Sequence, residues 1–225
     1  MTGSTPKDDN AIGVEVPADH EAEAPGAGMD PGIAPVELMT RRLCLWIPQS
    51  EHAAEVLEYH HANRRHLERW VPSARPLTDD HYTEKFWRRR LLRAERERSE
   101  GTAIRFVVSW RDIEPRPILG TAALTAIVRG PHQRCLLGYG LAESEQGKGI
   151  MTEALRALID HGFGALRLHR IMANYMPSNA RSGAVLKRLG FTVEGYARDY
   201  LFVNGRWRDH ILSALCNPEP VTPTV

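Results

Sequence analysis

Between Cys135 and Phe163 a strand-like run, CLLGYGLAE, passes through SEQGKG straight into IMTEALRALIDHGF. In the last segment Met151, Leu155, Leu158, Ile159 and Phe163 recur at helical spacing, so this helix has one apolar stripe and needs a layer to bury it against. Gly138 and Gly140 interrupt the strand before it, which reads as a bulge or as a close approach of another backbone. The unit is therefore strand, glycine corner, helix. Two glycines around Lys148 leave main-chain N–H groups bare at the helix start. Such a corner suits an anion, because unpaired donors and the positive end of the helix dipole point the same way.

Two common phosphate loops do not fit. A nucleoside-triphosphate loop needs glycine five positions before Gly147 and Ser or Thr after Lys148, but Ala142 and Gly149 stand there. A dinucleotide fingerprint needs Gly or Ala three positions after Gly149, where Thr152 stands, and an acidic ribose ligand where His169 and Arg170 lie.

The rest of the chain alternates in the same manner. Residues 42–48 (RLCLWIP) predict a strand ended by Pro48, residues 50–70 one helix led by Ser50, and residues 79–101 a second helix with Phe86, Trp87 and Leu91 opposite a charged face. Residues 104–110 and 118–128 read as strands joined by the turn-forming DIEPRP, with residues 135–143 as the next strand. After the corner helix come a strand over 169–176, a helix capped by Ser178 or Asn179 and stopped by Gly190, and two strand-like runs around Asn204-Gly205, a hairpin signal. Residues 1–35 hold no aromatic residue and no sustained period; they cannot bury enough apolar surface to offset chain entropy and are expected to be a disordered tail. Residues 36–216 are expected to form one domain and 217–225 a frayed tail.

Charge is unevenly placed. Residues 1–35 carry one lysine against seven acids, a net −6, which leaves +7 on the remainder of a chain whose total is +1. A moderately basic body suits an anionic ligand or an RNA-rich target, and ordinary solvation explains it equally well. Cys44, Cys135 and Cys216 are far apart without a CxxC pair and read as idle thiols of a reducing compartment. With no apolar run near the roughly 18 residues of a membrane helix, the expectation is a cytoplasmic protein without membrane contact. His60, His61 and His66 lack zinc spacing and are expected on a solvated helix face; no metal and no direct DNA binding are expected. The run RRRLLRAERER reads as a salt-laced helix face.

The corner and the segment after it resemble the Gcn5-related N-acetyltransferases, whose pyrophosphate loop reads Gln/Arg-x-x-Gly-x-Gly/Ala. Here the matching residues are Ser144, Glu145, Gln146, Gly147, Lys148 and Gly149, the first departing from the pattern. Residues 174–215, beginning NYMPSNARSGAVLKRLGF, look like the ribosomal-protein-alanine N-acetyltransferases of the RimJ type. The similarity runs over roughly 36–216 and is densest after Tyr139.

The resemblance implies an α/β fold of the α+β kind: a single domain with a central mixed, mostly antiparallel sheet, splayed strands at 135–143 and 169–176, and helices on both faces. It implies acetyl-CoA as cosubstrate, held by Leu141, Gln146, Gly147, Lys148, Gly149, Ile150, Met151, Asn179 and Ser182, with an oxyanion donor among backbone N–H groups of 138–141. Leu186 stands where many relatives place a tyrosine acid, so Ser182 is the expected proton donor to the departing thiolate. Asn174 stands where many relatives place a basic glutamate; it can orient an amine but accepts no proton, and Glu194, Asp209 and His210 remain as acceptors through water. An α-amine titrates near 7.7–8.0 and a lysine near 10.4, so at pH 7 their neutral fractions differ by roughly 300-fold, and a base-poor site suits a protein N-terminus. Asn63, Trp70, Tyr139 and Tyr196 are the candidates for acceptor recognition. The expected activity is acetylation of a protein N-terminal amine, with a ribosomal protein's N-terminal alanine as acceptor. A small-molecule amine or antibiotic acetyltransferase and a non-catalytic CoA-binding ribosome-assembly factor are the alternatives, and the oligomeric state, a homodimer included, is open.

Overall fold

The computed structural model describes residues 37–72 and 78–223; the acidic tail expected over 1–35 lies outside them. Eight strands form one sheet: β1 (Leu38–Met39), β2 (Leu43–Trp46), β3 (Ile104–Trp110), β4 (Ile118–Val128), β5 (Arg134–Leu141), β6 (Arg170–Tyr175), β7 (Thr192–Val203) and β8 (Arg206–Cys216). Their spatial order is β1-β2-β3-β4-β5-β6-β8-β7. Every neighbouring pair is antiparallel except β5 and β6. That one parallel pair needs a crossover, which the helix after the glycine corner supplies. The helices are α1 (Ala53–Ala62), α2 (Arg64–Leu67), α3 (Glu84–Ser99), α4 (Ile150–Phe163) and α5 (Ala180–Arg188).

Alternation along the strands sorts the core into two layers. Ile104, Phe106 and Val108 of β3 face α4, where Ile150, Leu155 and Leu158 are fully buried. Val107, pointing the other way, packs with Ala53 and Val56 of α1 and Leu91 of α3. Helices therefore cover both faces. A third cluster joins Tyr59, Leu67 and Trp70 to Met176 and Val203, fastening the α1–α2 segment to the C-terminal hairpin. That hairpin closes through Asn204 (φ 48°) and Gly205 (φ 77°), both left-handed as a two-residue turn of this hand requires.

One helix was expected over 50–70, but the segment breaks. It begins with a 3₁₀ turn at Ser50–His52 whose leading residue is Gln49, its N–H donating to His52 Nδ1 at 3.1 Å, so Ser50 is not the cap. The break falls at Asn63, whose Nδ2 donates to Tyr59 O at 2.9 Å and whose Oδ1 accepts from Glu143 N–H at 3.1 Å. A side chain that ties its own preceding turn to a loop 80 residues away competes with helix propagation. The second helix starts at Glu84, capped by Thr83 Oγ1, and the residues from Asp79 to Tyr82 form a separate 3₁₀ turn.

The glycines of β5 mark no bulge. β4 and β5 stay in register from Gly120↔Leu141 to Thr125↔Leu136, and the irregularity lies farther on, between Thr125 and Val128. The close approach is at Gly120 on β4, where an added Cβ would lie 2.5 Å from Gly140 O, whereas a Cβ on Gly140 itself would meet its neighbours at an ordinary 3.5 Å or more. The opening is on the other edge. β5 and β6 pair only at Arg134↔Arg170, Cys135↔Ile171 and Leu136↔Met172, after which β6 continues beside β8 alone. Ala142 N–H donates to Leu119 O on the β4 side and Gln133 O accepts from His169 N–H on the β6 side. Alternation then turns the N–H groups of Tyr139 and Leu141, beyond the last paired residue, into the gap.

Candidate active site

The corner lies where the sheet opens. Gly147 (φ 76°) and Gly149 (φ 74°) are left-handed, a conformation that costs a residue with a side chain about 1–2 kcal/mol. Gly149 is the N-cap of α4 and has no side-chain cap bond to offer, so the first N–H groups of the helix stay available. Gly147, Gly149, Ile150 and Met151 all line a cleft of about 1120 Å³ that runs between α4 and α5. Arg41, Arg156, Arg181 and Arg188 line it as well, against Glu143 and Glu153, so the cleft is electropositive.

A clamp behind the corner fixes its position. Glu153 Oε1 accepts from Thr40 Oγ1 (2.7 Å) and Arg42 N–H (2.9 Å), while Oε2 accepts from Arg42 Nε at 2.7 Å. Both terminal nitrogens of Arg42 reach Lys148 O at 3.3 Å. Desolvation pushes the Glu153 carboxyl up, but hydrogen bonds from Thr40 and Arg42 outweigh it and hold the group below the usual range. Lys148, predicted as a cofactor contact, does not line the cleft; its Nζ pairs with Glu145 Oε2 at 3.1 Å. Gln146 faces the cleft, with its Oε1 bonded to the Arg181 guanidinium and its Nε2 2.7 Å from His66 Nε2.

At the inner end of the cleft Tyr139 and Ser182 meet, their hydroxyls 2.6 Å apart and the two residues 5% and 3% exposed. Burial pushes the Tyr139 phenol well up, against the opposing effect of its bond to Ser182, so it stays protonated at neutral pH. Ser182 sits in the first turn of α5, where its N–H donates to Asn179 Oδ1 at 2.7 Å. Asn179 is fully buried and outside the cleft lining, its Nδ2 without a partner; the structure gives it the role of helix cap. Leu141 lines the cleft beside this pair, and its backbone N–H is one of the two that face the gap.

The other expected residues are spread around this centre. Asn174, on β6 past the last β5 contact, donates from Nδ2 to Tyr200 OH at 3.2 Å, and its Oδ1 is buried without a partner. Tyr139, expected to meet the acceptor, is instead on the α4–α5 side against Ser182. Trp70 is 4% exposed in the cluster under the hairpin, and Asn63 is occupied by the bonds that break the first helix. Only Tyr196 is open, 58% exposed on β7 with its hydroxyl donating to Asp209. The histidines are not all solvated: His60 stacks on Trp87 with ring centroids 4.0 Å apart, and His66 turns to Gln146. Burial lowers the His66 pKa more than Glu143 raises it. The Arg-rich helix behaves as read, with Arg88–Glu84 and Arg93–Glu97 pairs. The Arg42–Glu153 clamp and the Tyr139–Ser182 pair escaped the sequence, since their partners are 111 and 43 residues apart. Among the described residues no cluster of His, Cys, Asp or Glu could hold a metal, and no helix is long and apolar enough to cross a membrane.

Comparison with known proteins agrees with this geometry. Residues 42–192 match the family described as Acetyltransferase (GNAT) domain. The [Ribosomal protein uS5]-alanine N-acetyltransferase of Escherichia coli is 39% identical over 192 residues, covering 85% of this chain and 96% of that protein. Among solved structures, the ribosomal-protein-S5-alanine acetyltransferase of Vibrio fischeri superposes with a TM-score of 0.75 at 37% identity, over 82% of this chain and 98% of the other. Mycobacterium smegmatis RimJ, in complex with CoA-disulfide, gives 0.73 at 32% identity, over 77% and 81%. The splayed sheet, the glycine corner and these likenesses lead to one assignment: the chain belongs to the GNAT acetyltransferase family and is an N-acetyltransferase.

Proposed function

We propose that the chain transfers an acetyl group from acetyl-CoA to the N-terminal α-amine of a protein, the acceptor being the N-terminal alanine of a ribosomal protein. The observation that carries the reading is the continuity of one cleft, from the bare N–H groups at Gly147–Met151 to the Tyr139–Ser182 pair beside the β5–β6 gap. The donor set fits acetyl-CoA. The amides of Gly147, Gly149 and Ile150 would hold the pyrophosphate, as bare donors at a helix N-terminus do. The cleft arginines supply cations for its remaining phosphate charge. In the gap, the free N–H edge of β5 would pair with the pantetheine amides as it would with another strand. When bound, acetyl-CoA supplies a thioester whose carbonyl carbon accepts the amine.

Three tasks then fall to the protein. The Leu141 or Tyr139 N–H, facing the gap, stabilises charge on the carbonyl oxygen. Ser182 donates a proton toward the departing sulfur, and Tyr139, kept protonated by burial, supplies Ser182 in turn. Asn174 orients the amine on the opposite side of the gap. The missing glutamate supports an α-amine acceptor, since lysine would arrive protonated at pH 7. The named relatives, described as acting on ribosomal proteins S5 or uS5, support the protein class of acceptor. Mass spectrometry of acetyl transfer to an Ala-starting peptide, to the same peptide with a blocked terminus and free lysine, and to spermidine tests the reading. Modification of the free terminus alone is expected; preference for either other acceptor overturns it.

A further inference from the structure

The gap between β5 and β6 has two sides, and the acid pair occupies only one. Tyr139 and Ala173 point to the α4–α5 face, so their neighbours Asn174 and Met172 point to the other. On β8 the register Asn174↔Leu212 puts Leu212, and with it His210, on that second face. Diagonal neighbours of this kind lie within roughly 7–8 Å, in reach of long side chains. The third member comes from β7. Register with β8 slips between Ala197 and Leu201, Asp199 is left-handed (φ 47°), and Asp199 N–H is held by Asp209 Oδ1 at 2.9 Å. This bulge aims Tyr200 at the cluster: its hydroxyl accepts from Asn174 Nδ2, and its ring lies 5.5 Å from that of His210 at 60°.

The hydrogen-bond inventory of the cluster is incomplete in one specific way. His210 Nδ1 lies 3.0 Å from Arg208 O, and a carbonyl only accepts, so the ring proton is on Nδ1 and Nε2 presents a lone pair. Nε2 is buried without a partner, and so is Asn174 Oδ1. Two buried acceptors on one face, both lacking a donor, match a group carrying at least two N–H bonds. Neither is exposed enough to be satisfied by bulk water. The gap beyond Met172 is where a thioester carbonyl would sit between this face and the Ser182 face.

We infer that Asn174 Oδ1 and His210 Nε2 form the seat of the acceptor amine and that His210 is the general base of the transfer. This rests on the N-acetyltransferase reading above. The amine nitrogen forms the C–N bond, and the proton it sheds goes to His210 Nε2. The C–S bond breaks with its electron pair on sulfur, which takes a proton from the Ser182–Tyr139 pair. The imidazolium then returns a proton to solvent and the hydroxyl pair regains one, so charge balances over the cycle. His210 is suited to this because burial lowers its pKa more than the Arg208 carbonyl and Asp209 raise it, leaving the ring neutral at pH 7. The groups facing the ring are Asp209 and Arg208 on β8, Tyr200 on β7 and Asn174 on β6.

The test is steady-state transfer to an Ala-starting peptide from pH 5.5 to 9 by wild type, His210→Gln and Asn174→Asp, with acetyl-CoA affinity measured by calorimetry. His210→Gln is expected to bind acetyl-CoA as wild type does, to lose roughly 10²–10⁴-fold in kcat, and to lose the acid limb of kcat/KM. Retention of kcat within about threefold, with the acid limb intact, overturns the assignment. Should His210→Gln fail to fold, Asn174→Asp decides: a carboxylate beside His210 shifts the acid limb upward by about one pH unit or more, whereas a purely structural histidine leaves it in place. Wild type that acetylates no α-amine refutes the function itself; active wild type with an equally active His210→Gln refutes only the base.

Discussion

Replacing Ser182 by alanine separates its structural and chemical roles, because the Tyr139–Ser182 contact is buried and short. The substitution leaves the Tyr139 hydroxyl with only a 3.4 Å approach to the Ser182 carbonyl, too long to replace the lost bond. A buried polar group deprived of its partner costs about 1–3 kcal/mol. For a domain of this size each kcal/mol moves Tm by about 2–4 °C, so a drop of about 2–12 °C is expected by scanning calorimetry. Tyr139→Phe removes the stranded hydroxyl and leaves Ser182 Oγ facing the cleft, where water can satisfy it; its cost is about 1 kcal/mol. The double variant is therefore more stable than Ser182→Ala alone, with a coupling of about 1–2 kcal/mol. Kinetically, loss of the proton donor lowers kcat by about 10²–10⁴-fold with little change in KM for acetyl-CoA. A Ser182→Ala enzyme with wild-type kcat refutes the role in protonation, and strictly additive melting shifts refute the energetic link.

Other perturbations test the surroundings of this pair. Gly147→Ala places a side chain in open space but in a left-handed backbone, so about 1–2 kcal/mol of stability and at least a tenfold loss in acetyl-CoA affinity are expected from melting and calorimetry. Glu153→Gln weakens the clamp on Lys148 O; with the carboxylate 21% and Arg42 33% exposed, about 1–2 kcal/mol is expected. Because the folded-state pKa of Glu153 is depressed, that contribution is present above its ordinary pKa of 4.5 and disappears as pH falls through the lowered value, so wild-type and variant Tm converge below pH 4.5. Asn179→Ala removes the α5 cap bond and is expected to cost about 1 kcal/mol in denaturant unfolding, with kcat reduced through Ser182 while KM for the acceptor peptide holds.

The elements most legible in the sequence are those whose signals are local. The runs 104–110 and 118–128 match β3 and β4 to the residue, since each is an apolar run bounded by turn formers. The Asn204-Gly205 turn, the stripe of α4 and the capped α5 follow for the same reason. The glycine corner and the splay beside it are where the family resemblance put them. What the sequence concealed depends on contacts between distant segments. Asn63 breaks a helix that propensity favours because Glu143 occupies its side chain. Tyr139 sits in a run whose apolar alternation says nothing of a hydroxyl partner on α5. His66 resembles a surface histidine until α2 is laid against Gln146. The β7 bulge that brings Tyr200 to His210 has no glycine to announce it, only Asp199 in a conformation that Asp tolerates.

The central claim, that the corner at Gly147–Ile150 grips the CoA diphosphate by main-chain donors, is tested most directly by titrating ¹⁵N-labelled protein with CoA and following backbone amide shifts. The account predicts that the largest changes fall on Gly147, Gly149, Ile150 and Met151, with Leu141 following as the pantetheine enters the gap. Saturable binding that leaves these amides unmoved, or that shifts instead the separate cavity lined by Glu37, Trp46 and Arg116, contradicts it.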